Sequence, residues 1–199
     1  MSKSRRSLAV VFDLEFTAWE GSRERRWSLP GEKTEVVQIG AVKLDARSLA
    51  EVDTFEALVH PRLNPVLSGY FITLTGITNE ALASCGIDFI PAYRAFLDFT
   101  GGATIHAFGR DDLILAENLK LYGWGRAMPM PRYRNVVPWF AAQGLDLAGK
   151  HACDVAEAAG VPFAGRRHDA LSDALSVARG IAALVAKGAP NPFLAELPG

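Results

Sequence analysis

Two acidic residues, Asp13 and Glu15, stand two positions apart at the end of an apolar run that begins at Leu8. Side chains alternate between the two faces of a β-strand, so a strand here points both carboxylates to the same side. Two adjacent anions at a largely buried position are costly unless a cation neutralises them. The pair therefore indicates a cation site, and the alternative is that both acids lie just beyond the strand in solvent.

A second acidic position follows Gly109, where Asp111 and Asp112 fall in the first turn of a predicted helix. Glycine gives the backbone the freedom that a sharp strand-to-helix corner requires. Acidic residues in a first helical turn also interact favourably with the helix macrodipole. Taken alone, these residues fit either a structural role or a chemical one.

A histidine and a further aspartate, His168 and Asp173, surround the start of the long C-terminal helix. Residues five positions apart do not share a helical face, so His168 is expected before the helix or in its first turn. Asp173 interrupts a helix that is otherwise rich in apolar residues, and a carboxylate beside a buried stripe needs a partner. Either residue alone also fits a surface position.

Together these side chains favour metal-assisted hydrolysis of a phosphodiester. Carboxylate sites select hard cations such as Mg²⁺ or Mn²⁺ over zinc. Two such ions about 4 Å apart can clamp the attacking and leaving oxygens of an in-line displacement. A histidine, with an ordinary pKa of about 6.5, suits the base that takes a proton from the attacking water.

The elements that must position these residues begin with three strands and then alternate. Strands are predicted at residues 8–15, 35–44, 49–59, 102–108 and 133–137, and helices at residues 88–99, 111–122, 137–140, 151–159 and 171–187. This order predicts an α/β fold with a mixed central sheet, in which a three-stranded antiparallel meander adjoins parallel strands and helices flank the sheet. Residues 17–33 are predicted to form a loop, and residues 61–78 an ordered but irregular segment.

Length and composition predict one soluble globular domain over residues 1–199, with a core at about 8–187 and short tails. Cys85 and Cys153 lack the spacing of a disulfide scaffold or a zinc site, which fits a reducing compartment. No apolar run approaches the roughly 20 residues of a membrane helix, so a cytoplasmic protein without a membrane partner is expected. The net charge of −1 gives no overall basic field, so composition alone does not indicate a nucleic-acid partner.

The acidic motifs resemble those of the DEDDh 3′→5′ exonuclease superfamily, which has the RNase H-like fold. Residues 13–17 (DLEFT) are similar to its first motif, D-x-E-x-T, and residues 168–174 (HDALSDA) resemble its last. The aromatic-Gly-x-x-Asp spacing of relatives favours Asp112 over Asp111 as the middle carboxylate. The resemblance implies His168 as general base and two Mg²⁺ or Mn²⁺ ions, held by Asp13, Glu15, Asp112 and Asp173.

Two further segments resemble the ERI-like branch, which includes the histone-mRNA exonucleases. The first is residues 19–21 (WEG) followed, after a variable loop, by residues 35–40 (EVVQIG). The second is residues 61–78, in which residues 67–68 (LS) and 71–78 (FITLTGIT) resemble the signature of that branch. In this family, residues that match 74–76 pack near the terminal nucleotide. Substrate contact is assigned to Phe16, Thr17, Leu74, Thr75, Gly76 and Arg167.

Other basic, aromatic and histidine residues admit two interpretations. Residues 19–27 (WEGSRERRW) could hold phosphates and bases at the rim of the site, but a solvated mobile loop is favoured. Arg166 and Arg167 are better placed to meet a phosphate backbone, although pairing with acidic residues would also explain them. The remaining histidines have no ligand-like spacing and are interpreted as structural; they are His60, His106 and His151.

We therefore expect an enzyme that shortens single-stranded nucleic acid from the 3′ end and releases nucleoside 5′-monophosphates. A paired end would have to fray before it could enter such a site. The expected preference for RNA follows from the branch resemblance alone. Two alternatives stay open: a DNA proofreading or repair subunit, and a non-catalytic binding module that kept the fold.

Overall fold

The computed structural model describes residues 7–125 and 127–194, so the outer parts of the expected tails, residues 1–6 and 195–199, lie outside the described residues. The strands are β1 (Leu8–Phe16), β2 (Val36–Asp45), β3 (Glu51–His60), β4 (Ile87–Asp88), β5 (Ile105–Ala107) and β6 (Tyr133–Asn135). The helices are α1 (Gly69–Thr75), α2 (Asn79–Cys85), α3 (Phe89–Thr100), α4 (Asp111–Leu121), α5 (Val137–Ala142), α6 (Val155–Ala158) and α7 (Ala170–Ala186), with a 3-10 turn at Ala152–Asp154. None of the helices in these ranges has the length and apolar character needed to cross a membrane.

The six strands form one sheet in the order β4–β3–β2–β1–β5–β6. Strands β1, β2 and β3 pair antiparallel, whereas β5 is parallel to β1 and β6 is parallel to β5. The predicted mixed sheet, a meander joined to parallel strands, is confirmed. Strand β1 lies inside the sheet with a neighbour on each side, as its continuous apolar run indicated.

The two faces of β1 face different layers of helices. Val10 and Phe12 belong to a core cluster with α3 and α4, whereas Ala9 and Val11 pack with α7 and α5. Because side chains alternate along a strand, Asp13 continues the face of Ala9 and Val11. The acidic end of β1 is therefore directed to the side of the sheet on which α7 lies.

A fully buried carboxylate, that of Glu35, fixes the chain between β3 and α1. Its Oε1 accepts hydrogen bonds from the backbone N–H groups of Arg62 and Leu63, at 2.7 and 2.9 Å, and from the Tyr122 hydroxyl. Its Oε2 accepts from the backbone and side-chain nitrogens of Asn64. These five donors satisfy the buried anion, so the segment that leads into α1 has a defined path.

The segment predicted to be irregular, residues 61–78, contains helix α1, and helix α2 after it was not predicted at all. The Ser68 hydroxyl caps α1 by accepting from the Phe71 N–H, and Gly76 ends the helix with φ 73°. Helix α1 has only seven residues. Three of them, Ile72, Thr73 and Thr75, are β-branched and therefore have low helical propensity. Burial of Phe71, together with the two caps, stabilises a helix that its propensity does not predict.

The N-terminus of α7 lies directly on β2 because Gly40 has no side chain. A Cβ atom at Gly40 would come within 2.1 Å of the Leu171 nitrogen and 2.2 Å of the Ala170 carbonyl carbon. The Gln38 amide secures this approach, since it donates to Asp169 Oδ2 and accepts from the Ala170 N–H, both at 2.9 Å. Strand β2 therefore sets the position of the segment that carries His168.

Gly40→Ala is expected to destabilise the fold by about 3 kcal/mol, since α7 must move away from the sheet to admit the methyl group. The measurement is the free energy of unfolding in urea. Gly69→Ala is the matched control, because a Cβ there meets nothing within 4 Å and φ is not positive. A Gly40→Ala variant as stable as Gly69→Ala would contradict the close approach.

Candidate active site

Four carboxylates from three elements line one cleft of about 710 Å³. Strand β1 supplies Asp13 and Glu15, the first turn of α4 supplies Asp111, and the first turn of α7 supplies Asp173. Asp13 and Glu15 are 9% and 8% exposed, and Asp173 only 3%. The structure thus brings together acids that are up to 160 positions apart in the chain, counted from 13 to 173.

The cluster resists ionisation. Burial raises the pKa of Asp13 well above its ordinary value, and the charges of Asp111, Glu15 and Asp173 add to this effect. Burial also raises the pKa of Glu15, with Asp173 as the next cause. Burial raises the pKa values of Asp111 and Asp173 to about 7, reinforced by Asp112 and Asp169 respectively. An added positive charge would reverse the direction of these shifts.

The structure places Asp111 in the cluster, whereas Asp112, the predicted middle carboxylate, does not line the cleft. Asp112 accepts two hydrogen bonds from the Arg110 guanidinium, at 2.9 and 3.0 Å. With 3.6 residues per turn, neighbouring helix positions point about 100° apart, so only one of the two acids can face Asp13. The chain enters this helix through Gly109, which has a φ of 122°.

His168 stands beside the cluster in a strained backbone conformation. Its φ of 58° lies in the left-handed region, which is uncommon for residues other than glycine. One ligand atom each from His168, Glu15 and Asp173 all lie within 4.8 Å of one another. Burial lowers the pKa of His168, and the neighbouring His151 lowers it further. Both effects favour the neutral imidazole, which is the form that can accept a proton.

The cluster fits a divalent metal ion. Among the described residues, two buried side-chain oxygens have no hydrogen-bond partner, and both belong to it: Asp111 Oδ2 and Asp173 Oδ1. Unpartnered buried carboxylate oxygens are costly, and a metal ion would satisfy them. A donor set dominated by carboxylates suits hard cations.

The residues assigned to substrate contact divide into two groups. Phe16 and Leu74 line the cleft. The Thr17 hydroxyl donates to the Lys33 carbonyl oxygen instead, and the buried Thr75 donates to the Phe71 carbonyl oxygen at 2.9 Å. A Cβ at the third residue of that stretch, Gly76, would collide with the Arg166 guanidinium, so it packs under that side chain.

Arg167, which was assigned to substrate contact, pairs with acidic side chains instead. Its guanidinium donates to Asp154 at 2.5 Å and to Glu157 at 2.6 Å, so its charge is offset by two acids. Pairing with acidic residues was the alternative that the sequence left open, and the structure shows it. A phosphate-binding role for Arg167 is not supported by these contacts.

Several residues of the cleft were not among the predicted site residues: Arg23, Trp27, Tyr70, Lys150 and His151. The loop predicted at residues 17–33 is confirmed, but the Trp27 indole donates to the Thr17 carbonyl oxygen at 2.9 Å and its ring contacts Phe16. These contacts pack Trp27 against the end of β1, whereas a solvated loop was expected here. The alternation of basic and aromatic residues in this loop was the available signal, whereas His151 gave none.

A mixed sheet that presents a buried carboxylate cluster and a histidine in an open cleft defines a nuclease of the RNase H-like class. The chain matches the exonuclease (RNase_T) family over residues 10–179 and belongs to that family. Over 82 residues it is 35% identical to ERI1 exoribonuclease 2 of Danio rerio, which amounts to 41% of this chain and 14% of that protein. The predicted exonuclease family is confirmed, and over the aligned 82 residues the zebrafish match agrees with the predicted ERI-like branch.

Solved structures share the fold. The nuclease domain of 3′hExo, a DEDDh family member bound to rAMP, has a TM-score of 0.77 at 21% identity, covering 94% of this chain and 96% of that one. Cell-death related nuclease 4 has a TM-score of 0.74 at 23% identity, covering 92% and 65%. Escherichia coli exonuclease I with a dA16 oligonucleotide reaches 0.65 at 13% identity, covering 92% and 41%.

Asp111→Asn is expected to abolish Mn²⁺ binding at the cluster and to lower kcat by a factor on the order of 10²–10³. Asp112→Asn, its immediate neighbour, should retain both, because that side chain faces Arg110. Metal binding is measured by titration calorimetry and kcat with a labelled oligonucleotide. The reverse pattern, with Asp112→Asn as the inactive variant, would reject the assignment of Asp111.

The metal-free protein is expected to lose stability as the pH rises from about 4 to about 7. Raised carboxyl pKa values mean that the folded state binds more protons than the unfolded state in this window, so folding weakens as they are lost. Mg²⁺ should therefore raise Tm more at pH 8 than at pH 5. Asp111→Asn serves as control, because without metal it should exceed the wild-type Tm at pH 8. A wild-type Tm in EDTA that rises relative to this variant between pH 5 and pH 8 would contradict the argument.

Proposed function

We propose that this protein is a 3′→5′ exonuclease, folded as a single domain, that removes nucleotides from single-stranded RNA and releases nucleoside 5′-monophosphates. The observation that carries the proposal is the cluster of Asp13, Glu15, Asp111 and Asp173 with His168 at its edge, in a cleft open to solvent. Membership of the exonuclease family supports the reaction class. The names of the relatives in turn support a 3′ end and RNA.

The four carboxylates would hold two Mg²⁺ or Mn²⁺ ions. When bound, such ions supply the positive charge that offsets the charge developing on the phosphoryl oxygens. Neutral His168 takes one proton from the attacking water as the new O–P bond forms. The bond from phosphorus to the 3′ oxygen breaks, and the leaving oxyanion takes up a proton from solvent to become the new 3′ hydroxyl of the shortened strand.

The shape of the cleft favours a single-stranded end. Its volume of about 710 Å³ lies in the range that holds one small organic ligand, which suits a terminal nucleotide. Apolar and aromatic side chains form part of its wall, with Phe16 at the end of β1 and Leu74 on α1. A base-paired end would have to open before its last nucleotide could reach the carboxylates.

Turnover of 5′-labelled single-stranded RNA and DNA of the same sequence tests the proposal. With Mg²⁺ or Mn²⁺ we expect a ladder that shortens from the 3′ end, with RNA degraded faster than DNA. EDTA and Asp13→Ala should each stop the reaction, and nucleoside 5′-monophosphates should be the product by chromatography. A ladder from DNA alone would replace RNA by DNA as the substrate. If neither substrate is cleaved with either metal, the proposed exonuclease activity is overturned.

A further inference from the structure

The carboxylate cleft must attract a polyanion, although the chain has a net charge of −1. Three basic side chains line it, those of Arg23, Arg110 and Lys150. The guanidinium of Arg110 is bound on two nitrogens by Asp112, so its charge is offset. Among the described residues, neither Arg23 nor Lys150 forms an ion pair with an acidic residue. These two cations therefore remain available to a ligand.

Arg23 is held by a contact that leaves its charge intact. Its Nη1 atom lies 3.2 Å from Nε2 and 3.3 Å from Nδ1 of His151, so the guanidinium lies against the imidazole ring. Burial lowers the pKa of His151 and the Arg23 charge lowers it further, and both effects favour the neutral imidazole. A carboxylate in the same place would also hold the arginine, but it would cancel the field that a phosphate needs.

The backbone that carries Arg23 is anchored. The preceding residue, Ser22, is only 2% exposed, and its hydroxyl accepts from the Trp19 N–H at 3.1 Å. The Ser22 carbonyl oxygen accepts from the Trp27 N–H at 2.8 Å, which closes the turn around Arg23. The arginine thus extends from a fixed turn, and little backbone entropy is lost when it binds a ligand.

Three side chains form a continuous row that begins at the carboxylate cluster: His168, His151 and Arg23. The ring of His151 packs edge-on against that of His168, with ring centres 5.2 Å apart, and Arg23 in turn contacts His151. Because His168 stands at the carboxylate cluster, two side chains, those of His168 and His151, separate Arg23 from the scissile phosphate. The next phosphate of an extended strand is the anion that a cation in this position can meet.

We propose that Arg23, positioned by His151 and accompanied by Lys150, binds the backbone phosphate on the 5′ side of the scissile one. The proposal rests on the proposed function, since it takes the strand to enter this cleft by its 3′ end. It assigns the loop at residues 17–33 a direct part in substrate binding. Arginine suits this part because its planar group donates two hydrogen bonds to a phosphate.

The test compares Arg23→Gln with Arg26→Gln, which removes the same charge from the same loop at an exposed residue that does not line the cleft. Affinity for a labelled RNA is measured in EDTA by fluorescence anisotropy, at several salt concentrations. We expect Arg23→Gln to weaken binding about tenfold and to reduce the slope of log Kd against log salt by about 0.7, the value for one contact to a single strand. Arg26→Gln should change neither, and Arg23→Lys should restore the slope.

Replacing single phosphates with uncharged methylphosphonates locates the contact. The defect of Arg23→Gln should vanish when the linkage on the 5′ side of the scissile one is neutral, and it should persist when a distant linkage is neutral. Equal affinity and salt slope for Arg23→Gln and Arg26→Gln would overturn the proposal. A defect that persists with every neutral linkage would also overturn it, because the arginine would then act without touching a phosphate.

The outcome is separable from that of the proposed function. Binding in EDTA reports on Arg23 whether or not the protein cleaves RNA. With Mn²⁺ present, Arg23→Gln should raise KM and leave kcat near the wild-type value, because the contact does not involve the reacting atoms. Normal cleavage with unchanged KM in Arg23→Gln would reject the phosphate contact and leave the exonuclease standing.

Discussion

The structure is organised around the mutual repulsion of four carboxylates that the fold buries side by side. Burial and neighbouring negative charge both raise the pKa values of these groups, to about 7 for Asp111 and Asp173. A protein keeps such an arrangement only if packing elsewhere holds the acids in place. The same destabilised cluster attracts a divalent cation, because a bound ion removes the repulsion and satisfies the two unpartnered oxygens.

The packing that holds the acids comes mainly from the strand next to them. Gly40 lets the start of α7 approach β2, and the Gln38 amide fixes it there. This contact places Asp173 opposite the acids of β1 and sets His168 at the edge of the cluster with a left-handed backbone. These contacts anchor the carboxylate side of the cleft, which is the arrangement that preorganised electrostatic catalysis requires.

The positive charge at the rim of the cleft depends on which basic side chains have no acidic partner. Arg110 and Arg167 are paired with acidic side chains, whereas Arg23 lies against the imidazole of His151. The distribution of basic residues along the chain does not reveal this difference. In the proposed function, a chain without a basic surplus would bind nucleic acid through a few basic residues whose charge no acidic side chain offsets.

The sequence by itself determined most of the long elements and most of the reactive residues. Apolar periodicity located β1 and α7, and the spacing of Asp13, Glu15, His168 and Asp173 placed these residues at their ends, because strand and helix periods are local properties. Only the tertiary structure shows that Asp111, and not Asp112, lies in the carboxylate cluster. It also stabilises helix α1, through the burial of Phe71. It alone joined Arg23 to His151, which is 128 positions away. These outcomes depend on the direction in which a side chain points and on partners distant in the chain, and local periodicity carries information about neither.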